Sequence, residues 1–181
     1  MNRMKRAAFW TEQYRRHIGK MVGVCYRYVA DWDVAEDLAQ DAFLAAMEKT
    51  STFRALGSFE GWLMKIAVNQ ALMHLRNNIE MVELDENLHS QEPEEFADDP
   101  ELSQIRFTQQ ELLEAIGKLP VKQRTVFNLY AVEHYSHAKI AETLGITTAN
   151  SKVLLSRARA ELQQRLKVVA RRKDQMLNAE C

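Results

Sequence analysis

The segment from 79 to 104, IEMVELDENLHSQEPEEFADDPELSQ, divides the chain and limits how the rest of it can fold. Within this segment, residues 80 to 101 include ten acidic residues and no lysine or arginine, and Pro93 and Pro100 disfavour a continuous helix. Repulsion between like charges extends such a segment, which is predicted to be a flexible linker. The 181-residue chain is therefore expected to contain two small domains, residues 1–78 and residues 105–181.

Positive charge is concentrated at the two ends of the chain. The formal net charge is −1, but residues 1–79 carry 11 Lys and Arg against 8 Asp and Glu, and residues 102–181 carry 13 against 7. Nucleic acids are bound by local positive surfaces, so the overall charge does not exclude DNA binding by either domain.

The chain lacks the sequence features of a membrane protein. No segment approaches the roughly 18 consecutive apolar residues of a membrane-spanning helix, and the N-terminus has no apolar signal core. A cytoplasmic protein without membrane insertion is therefore expected. Cys25 is predicted to be a packed, reduced thiol and Cys181 ends the chain, so the cysteines predict neither a disulfide nor a metal site.

The N-terminal domain is predicted to be a three-helix bundle. Apolar residues recur at helical spacing over residues 9–29, 34–47 and 59–77. In the second helix, Phe43, Leu44 and Met47 are expected to widen the buried stripe. Asp33 is expected to cap this helix with Glu36 closing a capping box, and Ser58 is expected to cap the third helix.

The C-terminal domain is predicted to contain a helix-turn-helix. Helices are expected over residues 105–118 and, after Pro120, over residues 121–132. Ser136 then caps a short helix, Gly145 forms its C-terminal turn, and Thr147 or Thr148 begins a longer helix. A small residue at Ala141 allows the two helices of the motif to approach each other.

The long final helix is strongly basic, a composition that suits contacts with phosphates. Polar residues near its start occupy the place where a recognition helix meets the edges of bases. An ordinary solvated basic face is the alternative interpretation, as a solvated face is for the acidic side of the second helix. The candidate DNA-contacting residues are Asn150, Ser151, Lys152, Ser156, Arg157 and Arg159.

Two sets of motifs resemble one known family. The first reads D-x-A-E-D-L-x-Q-D-x-F, F-R, S-F-x-x-W-L-x-x-I-A-x-N and L-R, and the second reads L-P-x-x-x-R, F-x-L-Y, Y-S-H, I-A-x-x-L-G-I and S-x-x-R-A-R. In this order, with a linker between them, they resemble regions 2 and 4 of the extracytoplasmic-function class of bacterial sigma factors.

The resemblance implies an all-α protein of two small helical domains that binds core RNA polymerase and directs it to promoters. The acidic side of the second helix would contact the clamp helices of the largest polymerase subunit, through Asp33, Glu36, Asp37, Gln40 and Asp41. The flap of the second-largest subunit, promoter DNA and an anti-sigma factor are the other partners that the resemblance implies.

The resemblance also divides the promoter between the two domains. The C-terminal domain would read the minus-35 element through the six residues named above. The N-terminal domain would melt and capture the minus-10 element, through Phe53, Arg54, Ser58, Phe59, Lys65, Asn69, His74 and Arg76. Phe59 is equally well explained as a hydrophobic staple that fixes the start of the third helix.

Three positions depart from the family pattern. Val68 and Met73 replace an arginine and an aspartate that are common in the minus-10 helix, so contacts there would depend more on the neighbouring polar residues. Lys139 replaces a glutamate in the helix-turn-helix, and any backbone contact made by that acid would be absent.

Other classes of protein fit the sequence less well. There is no HExxH motif, no glycine-rich phosphate loop and no nucleophile with a base partner, so neither enzymatic activity nor a metal or cofactor is expected. The main alternative is a helix-turn-helix transcriptional regulator that acts without being a polymerase subunit. A helical protein-binding adaptor would leave the C-terminal excess of cations unexplained.

Overall fold

The computed structural model describes residues 3–50, 53, 57–78 and 100–179, and regular structure in these residues is helical. The chain forms two compact units, Met1–Met81 and Val82–Cys181. This confirms the prediction of two small all-α domains. Arg54, Cys181 and residues 79–99 of the expected linker lie outside the described residues.

The first unit is a bundle of three helices, α1 (Arg3–Val29), α2 (Trp32–Glu48) and α3 (Phe59–Asn78), each packed against the other two. Alanines of α2 allow the neighbouring helices to approach closely, and larger side chains of α1 and α3 fill the remaining space. The fully buried residues include Met21, Cys25, Tyr28, Ala35, Ala39, Ala42, Ala46, Leu63, Ala67, Ala71 and Leu75.

The structure corrects the predicted start of α2. Asp31 is the N-cap, and its carboxylate accepts a hydrogen bond from the Val34 amide at 3.1 Å. The predicted cap at Asp33, with Glu36 closing a capping box, is wrong because Asp33 already lies in the first helical turn. The helix begins earlier because the Trp32 ring stacks on Tyr26 of α1, with centroids 3.9 Å apart and planes 14° apart.

Cys25 lies in the centre of this bundle as a free thiol. Burial raises the pKa of its thiol to about 12. Because the thiolate is the reactive form of cysteine, this residue is an inert packing residue at neutral pH, as predicted.

The second unit is organised around the long helix α8 (Thr148–Ala179). Among the described residues, the α-helices that contact it include α4 (Pro100–Ser103), α5 (Gln109–Gly117), α6 (Val121–Phe127) and α7 (His137–Leu144). One core cluster joins α5 to α8 and contains Ala115, Leu119, Ala158 and Leu162. The other buried apolar residues of this unit include Val126, Leu129, Ile140, Val153, Leu154 and Leu155.

Two predicted helices of this unit have different boundaries. The helix expected over residues 105–118 begins only at Gln109, because Thr108 and Glu111 form a capping box there. Leu112, an apolar residue of this helix, is exposed. The helix expected over residues 121–132 is α-helical to Phe127 and continues as a π-helix over Asn128–Val132.

The predicted helix-turn-helix is confirmed. Ser136 caps α7 by accepting a hydrogen bond from the Lys139 amide at 3.2 Å. Gly145 ends α7 with φ 68°, a left-handed conformation that favours glycine. The Thr147 hydroxyl then accepts a hydrogen bond from the Asn150 amide at 3.1 Å, so α8 begins with its own cap.

Among the described residues, no helix is long and apolar enough to cross a bilayer.

Candidate functional site

The exposed side of α2 carries the predicted acidic residues together. Asp33, Glu36, Asp37, Gln40 and Asp41 are all exposed, while the alanines on the opposite side are buried. At about 100° per residue the five side chains span less than half of the helix circumference. No basic residue lies in the last turn of α2, so the surface stays negative along its length.

An apolar patch adjoins this acidic surface and was not predicted. Leu44 was expected to be buried, but 57% of it is exposed, in line with Asp33, Asp37 and Asp41 on α2. The correction has a simple cause, since alanines fill the contact of α2 with the bundle and Leu44 lies on the opposite side of the helix. Beside it a cavity of about 440 Å³ opens between α1 and α2, lined by Ala7, Trp10, Thr11, Tyr14, Gln40, Phe43, Leu44 and Met47.

An aromatic cluster lies at the start of α3. The Phe53 ring packs edge-on against Phe59, with centroids 5.5 Å apart, and lies 5.5 Å from the Trp62 ring. Phe59 also contacts Phe9 and Trp10 of α1, at 5.9 and 6.0 Å. Phe59 is therefore a packing residue at the helix start, which favours a structural role over a direct contact with DNA. It is the first helical residue after the Ser58 cap, so it does not have the position of a hydrophobic staple. Phe53 is half-buried at the edge of the cluster.

Four of the predicted minus-10 residues share one stripe on α3. Ser58 caps the helix as predicted, since its hydroxyl accepts a hydrogen bond from the Gly61 amide at 2.9 Å. Lys65, Asn69 and Arg76 follow it on the same side within about 40° of each other, and all are exposed. A row of this kind can follow a nucleic-acid backbone.

His74 does not belong to this stripe. It lies about half a turn out of register with Lys65 and is half-buried. Two positions of α3 that depart from the family pattern have different surroundings. Val68 is buried, whereas Met73 is exposed. Val68 therefore supports the packing of α3, whatever contacts an arginine makes at that position in relatives.

The structure corrects the roles predicted for the first polar residues of α8. Only 3% of Asn150 is exposed and Ser151 is fully buried. The Ser151 hydroxyl lies 2.9 Å from Nδ1 of His137 on α7. These two side chains face the interior of the helix-turn-helix, so they support the motif and are not available to contact bases.

The remaining candidates of α8 lie at the surface. Lys152 is exposed, and Ser156 and Arg159 follow it on one stripe within about 60°. Arg157 lies about 140° around the helix from Lys152 and is half-buried. A helix in the major groove has bases beneath it and a phosphate backbone on each side, so two separated rows can both reach DNA.

Comparison with known proteins identifies the family. Residues 13–79 match the family model of sigma-70 region 2, and residues 109–162 match that of sigma-70 region 4. The ECF RNA polymerase sigma factor SigW of Bacillus subtilis is 30% identical over 162 residues, a match that covers 82% of this chain and 83% of SigW. The chain belongs to the ECF sigma factor family.

Another relative is longer than this sigma factor. ECF RNA polymerase sigma factor SigE of Mycolicibacterium smegmatis is 30% identical over 162 residues, a match that covers 87% of this chain but 61% of SigE. A solved structure, the sigma factor RpoE of Bartonella quintana in complex with the anti-sigma factor NepR, shares the fold. It has a TM-score of 0.51 and 24% identity, and the match covers 87% of this chain and 96% of that chain.

The family relationship gives the activity of this sigma factor at a general level. It acts in promoter-directed initiation of transcription by RNA polymerase. Its helix-turn-helix, found here within the region 4 match, is the motif through which such proteins contact duplex DNA.

Sequence reasoning missed the residues that support the recognition helix. Burial and the nearby charges of Lys152 and Arg159 lower the pKa of His137, so its imidazole is neutral at physiological pH. Lys139, where the family pattern has glutamate, forms an ion pair with Glu142 at 2.8 Å. A helical pattern alone could not reveal the contact of His137 with Ser151, because the two residues belong to different helices.

Proposed function

We propose that this sigma factor divides its contacts with polymerase and promoter among three surfaces. The exposed side of α2 docks on the clamp helices of the largest subunit of core RNA polymerase, through Asp33, Glu36, Asp37, Gln40 and Asp41. Phe53, Arg54 and the stripe of α3 capture the melted minus-10 element, and the surface residues of α8 read the minus-35 element. The domains that carry these surfaces are residues 1–78 and 105–181. The linker predicted at 79–104 is shorter at its C-terminal end, because α4 (Pro100–Ser103) contacts α8 and belongs to the second domain.

The observation that carries this proposal is the separation of charge on the described helices. The exposed side of α2 is acidic and is adjoined by exposed Leu44, a combination that suits a partner helix with basic and apolar side chains. The exposed stripes of α3 and α8 are instead basic or neutral polar, which suits phosphates. One chain thus presents surfaces for two different kinds of partner.

The remaining parts of the proposal concern catalysis, the place of action and further partners. Nucleotide addition belongs to the core enzyme, and we propose that this subunit is itself non-catalytic. Its place of action is the cytoplasm, where the polymerase works on DNA. The flap of the second-largest subunit and an anti-sigma factor are further proposed partners, on the resemblance to the family.

Reconstituted transcription tests the proposed function directly. Purified chain and core RNA polymerase, incubated with a randomised promoter library, are expected to enrich a consistent minus-35 and minus-10 pair among the transcribed templates. Core enzyme alone is the control. A regulator that acts without polymerase would instead protect an operator from nuclease digestion by itself and enrich no templates with core enzyme.

Lys152→Ala and Arg157→Ala are expected to weaken promoter binding in different ways. Lys152 is an exposed point charge and should contact phosphate, so its loss should weaken all sequences alike and lower the salt dependence of binding by about one counterion. Arg157 has a planar fork suited to guanine, so its loss should cost about 1–3 kcal/mol on the preferred site only.

The measurement is holoenzyme binding to matched and mismatched minus-35 duplexes over a range of salt concentrations. Assembly with core polymerase, followed by gel filtration, is the control and should be unchanged. If both variants bind and transcribe as the wild type does, α8 is not the recognition helix.

A further inference from the structure

The π-helix at Asn128–Val132 lies at the turn between α6 and α7. The Glu133 amide donates to the Asn128 carbonyl at 3.0 Å, and the Tyr135 amide donates to the Leu129 carbonyl at 2.8 Å. These wide turns change the direction of the side chains relative to a continued α-helix. Such π-turns are rare and are frequently found at functional sites.

Tyr130, in the middle of this π-helix, contacts the recognition helix through Arg159. The Arg159 guanidinium carbon lies 5.6 Å from the centroid of the Tyr130 ring. The Tyr130 ring also stacks on His137, with centroids 4.7 Å apart and planes 24° apart. His137 in turn reaches Ser151 of α8 at 2.9 Å. These contacts form a continuous series from Ser151 of α8, through His137 and Tyr130, to Arg159, which lies two turns further along α8.

The contact of Arg159 with the Tyr130 ring affects how the arginine can bind DNA. An arginine loses considerable side-chain entropy when it is fixed in one geometry, and a guanidinium that is already held against a ring has lost part of it before binding. A cation–π contact pairs the charge with the ring and not with a hydrogen-bond acceptor, so guanidinium N–H groups stay available to phosphate or to guanine. Arg159 and Tyr130 are both half-exposed, so the pair lies at the surface where DNA can reach it.

We propose that Tyr130 is a positioning residue for promoter recognition, which holds Arg159 in its DNA-binding conformation and is itself braced by His137. The inference rests on the proposed contact of Arg159 with the minus-35 element. It assigns a role in DNA binding to Tyr130, which lies outside the recognition helix and would not itself contact DNA.

A double-mutant cycle on the holoenzyme separates this role from simple packing. The probe is a fluorescent duplex carrying the strongest promoter that wild-type holoenzyme enriches from the randomised library. Tyr130→Leu and Arg159→Ala should each weaken binding, Tyr130→Leu by about three- to tenfold. The double variant should bind no more weakly than Arg159→Ala alone, because Tyr130 acts through Arg159. Tyr130→Phe keeps the ring and should bind as the wild type does.

Two matched controls accompany the cycle. Lys152 lies on the same helix as Arg159 but outside this series of contacts. The effects of Lys152→Ala and Tyr130→Leu on the free energy of binding should therefore add. Arg159→Lys keeps the charge, leaves the core untouched and removes the guanidinium that contacts the Tyr130 ring, so it should weaken binding even if Tyr130→Leu proves too unstable to purify.

Several results would overturn the proposal. Additive effects of Tyr130→Leu and Arg159→Ala would show that the tyrosine acts only on folding. Wild-type affinity of Arg159→Lys would show that the contact of the guanidinium with the Tyr130 ring is unimportant. If Arg159→Ala itself leaves affinity unchanged, the proposed DNA contact of Arg159 fails and the inference fails with it. If Arg159→Ala weakens binding and Tyr130→Leu does not, the inference fails alone.

Discussion

Reversing the charge at two positions of α2, Asp37→Lys with Asp41→Lys, is expected to weaken assembly with core RNA polymerase severely. Both carboxylates are exposed on one side of the helix, next to Gln40 and Leu44. Losing one partner of a charge pair buried at an interface typically costs about 2–5 kcal/mol. The dissociation constant for core polymerase should therefore rise by at least about 30-fold, measured by fluorescence anisotropy of labelled chain.

The control for this prediction is a variant with the same change in net charge at positions outside the acidic surface. Glu12→Lys with Asp174→Lys also raises the net charge by four, at exposed positions of α1 and α8 outside the acidic surface. It should assemble with core polymerase nearly as the wild type does, apart from a general effect that salt screens. Circular dichroism checks that both variants stay helical. Equal affinity of the two charge-reversed variants would show that the side of α2 is not the docking surface.

The double variant Phe53→Ala with Arg54→Ala is expected to bind polymerase normally but to form open complexes poorly on duplex promoters. A melted strand has lost its stacking partners, and an aromatic side chain that stacks on a base contributes about 1–3 kcal/mol. Phe53 lies half-buried at the edge of the aromatic cluster, so one side of its ring packs on the protein. Permanganate reactivity of unpaired thymines should fall on an intact duplex.

The structure supplies a matched control for this variant. Phe9 contacts Phe59 edge-on at 5.9 Å, as Phe53 does at 5.5 Å, but from α1. Phe9→Ala should therefore loosen the cluster to a similar extent in thermal unfolding while leaving open-complex formation intact. A promoter already mismatched at the minus-10 element should restore part of the activity of the double variant, because the unpairing cost of a few kcal/mol is removed. Normal thymine reactivity in the double variant would exclude strand capture by this loop.

The periodicity of the sequence was sufficient to predict the long helices and the helix-turn-helix, because each amphipathic face has one place to pack. It led to Asp33 as the cap of α2, whereas the cap is Asp31. Both are good capping residues, and what decides between them is the stacking of Trp32 on Tyr26, a contact between two helices. Local patterns carry no information about such contacts.

The candidate site shows the same limit. The acidic surface of α2 was predictable because charges at helical spacing on one side must face solvent together. Ser151 was misassigned because polar residues near the start of a recognition helix usually face DNA, whereas this one is buried against His137. Leu44 was misassigned although its place on the helix, in line with Asp33, Asp37 and Asp41, already puts it on the solvent side. The contact of Ser151 with His137, by contrast, cannot be read from a single helix.

The row of Ala35, Ala39, Ala42 and Ala46 attaches α2 to the bundle without any contribution from the opposite side of the helix. These side chains are fully buried, and larger residues would force the three helices apart. The exposed side has no such restriction, since its residues touch mainly solvent. Mutations there can alter the affinity for a partner with little effect on folding. The helix can therefore diversify its binding surface while its attachment to the bundle stays fixed.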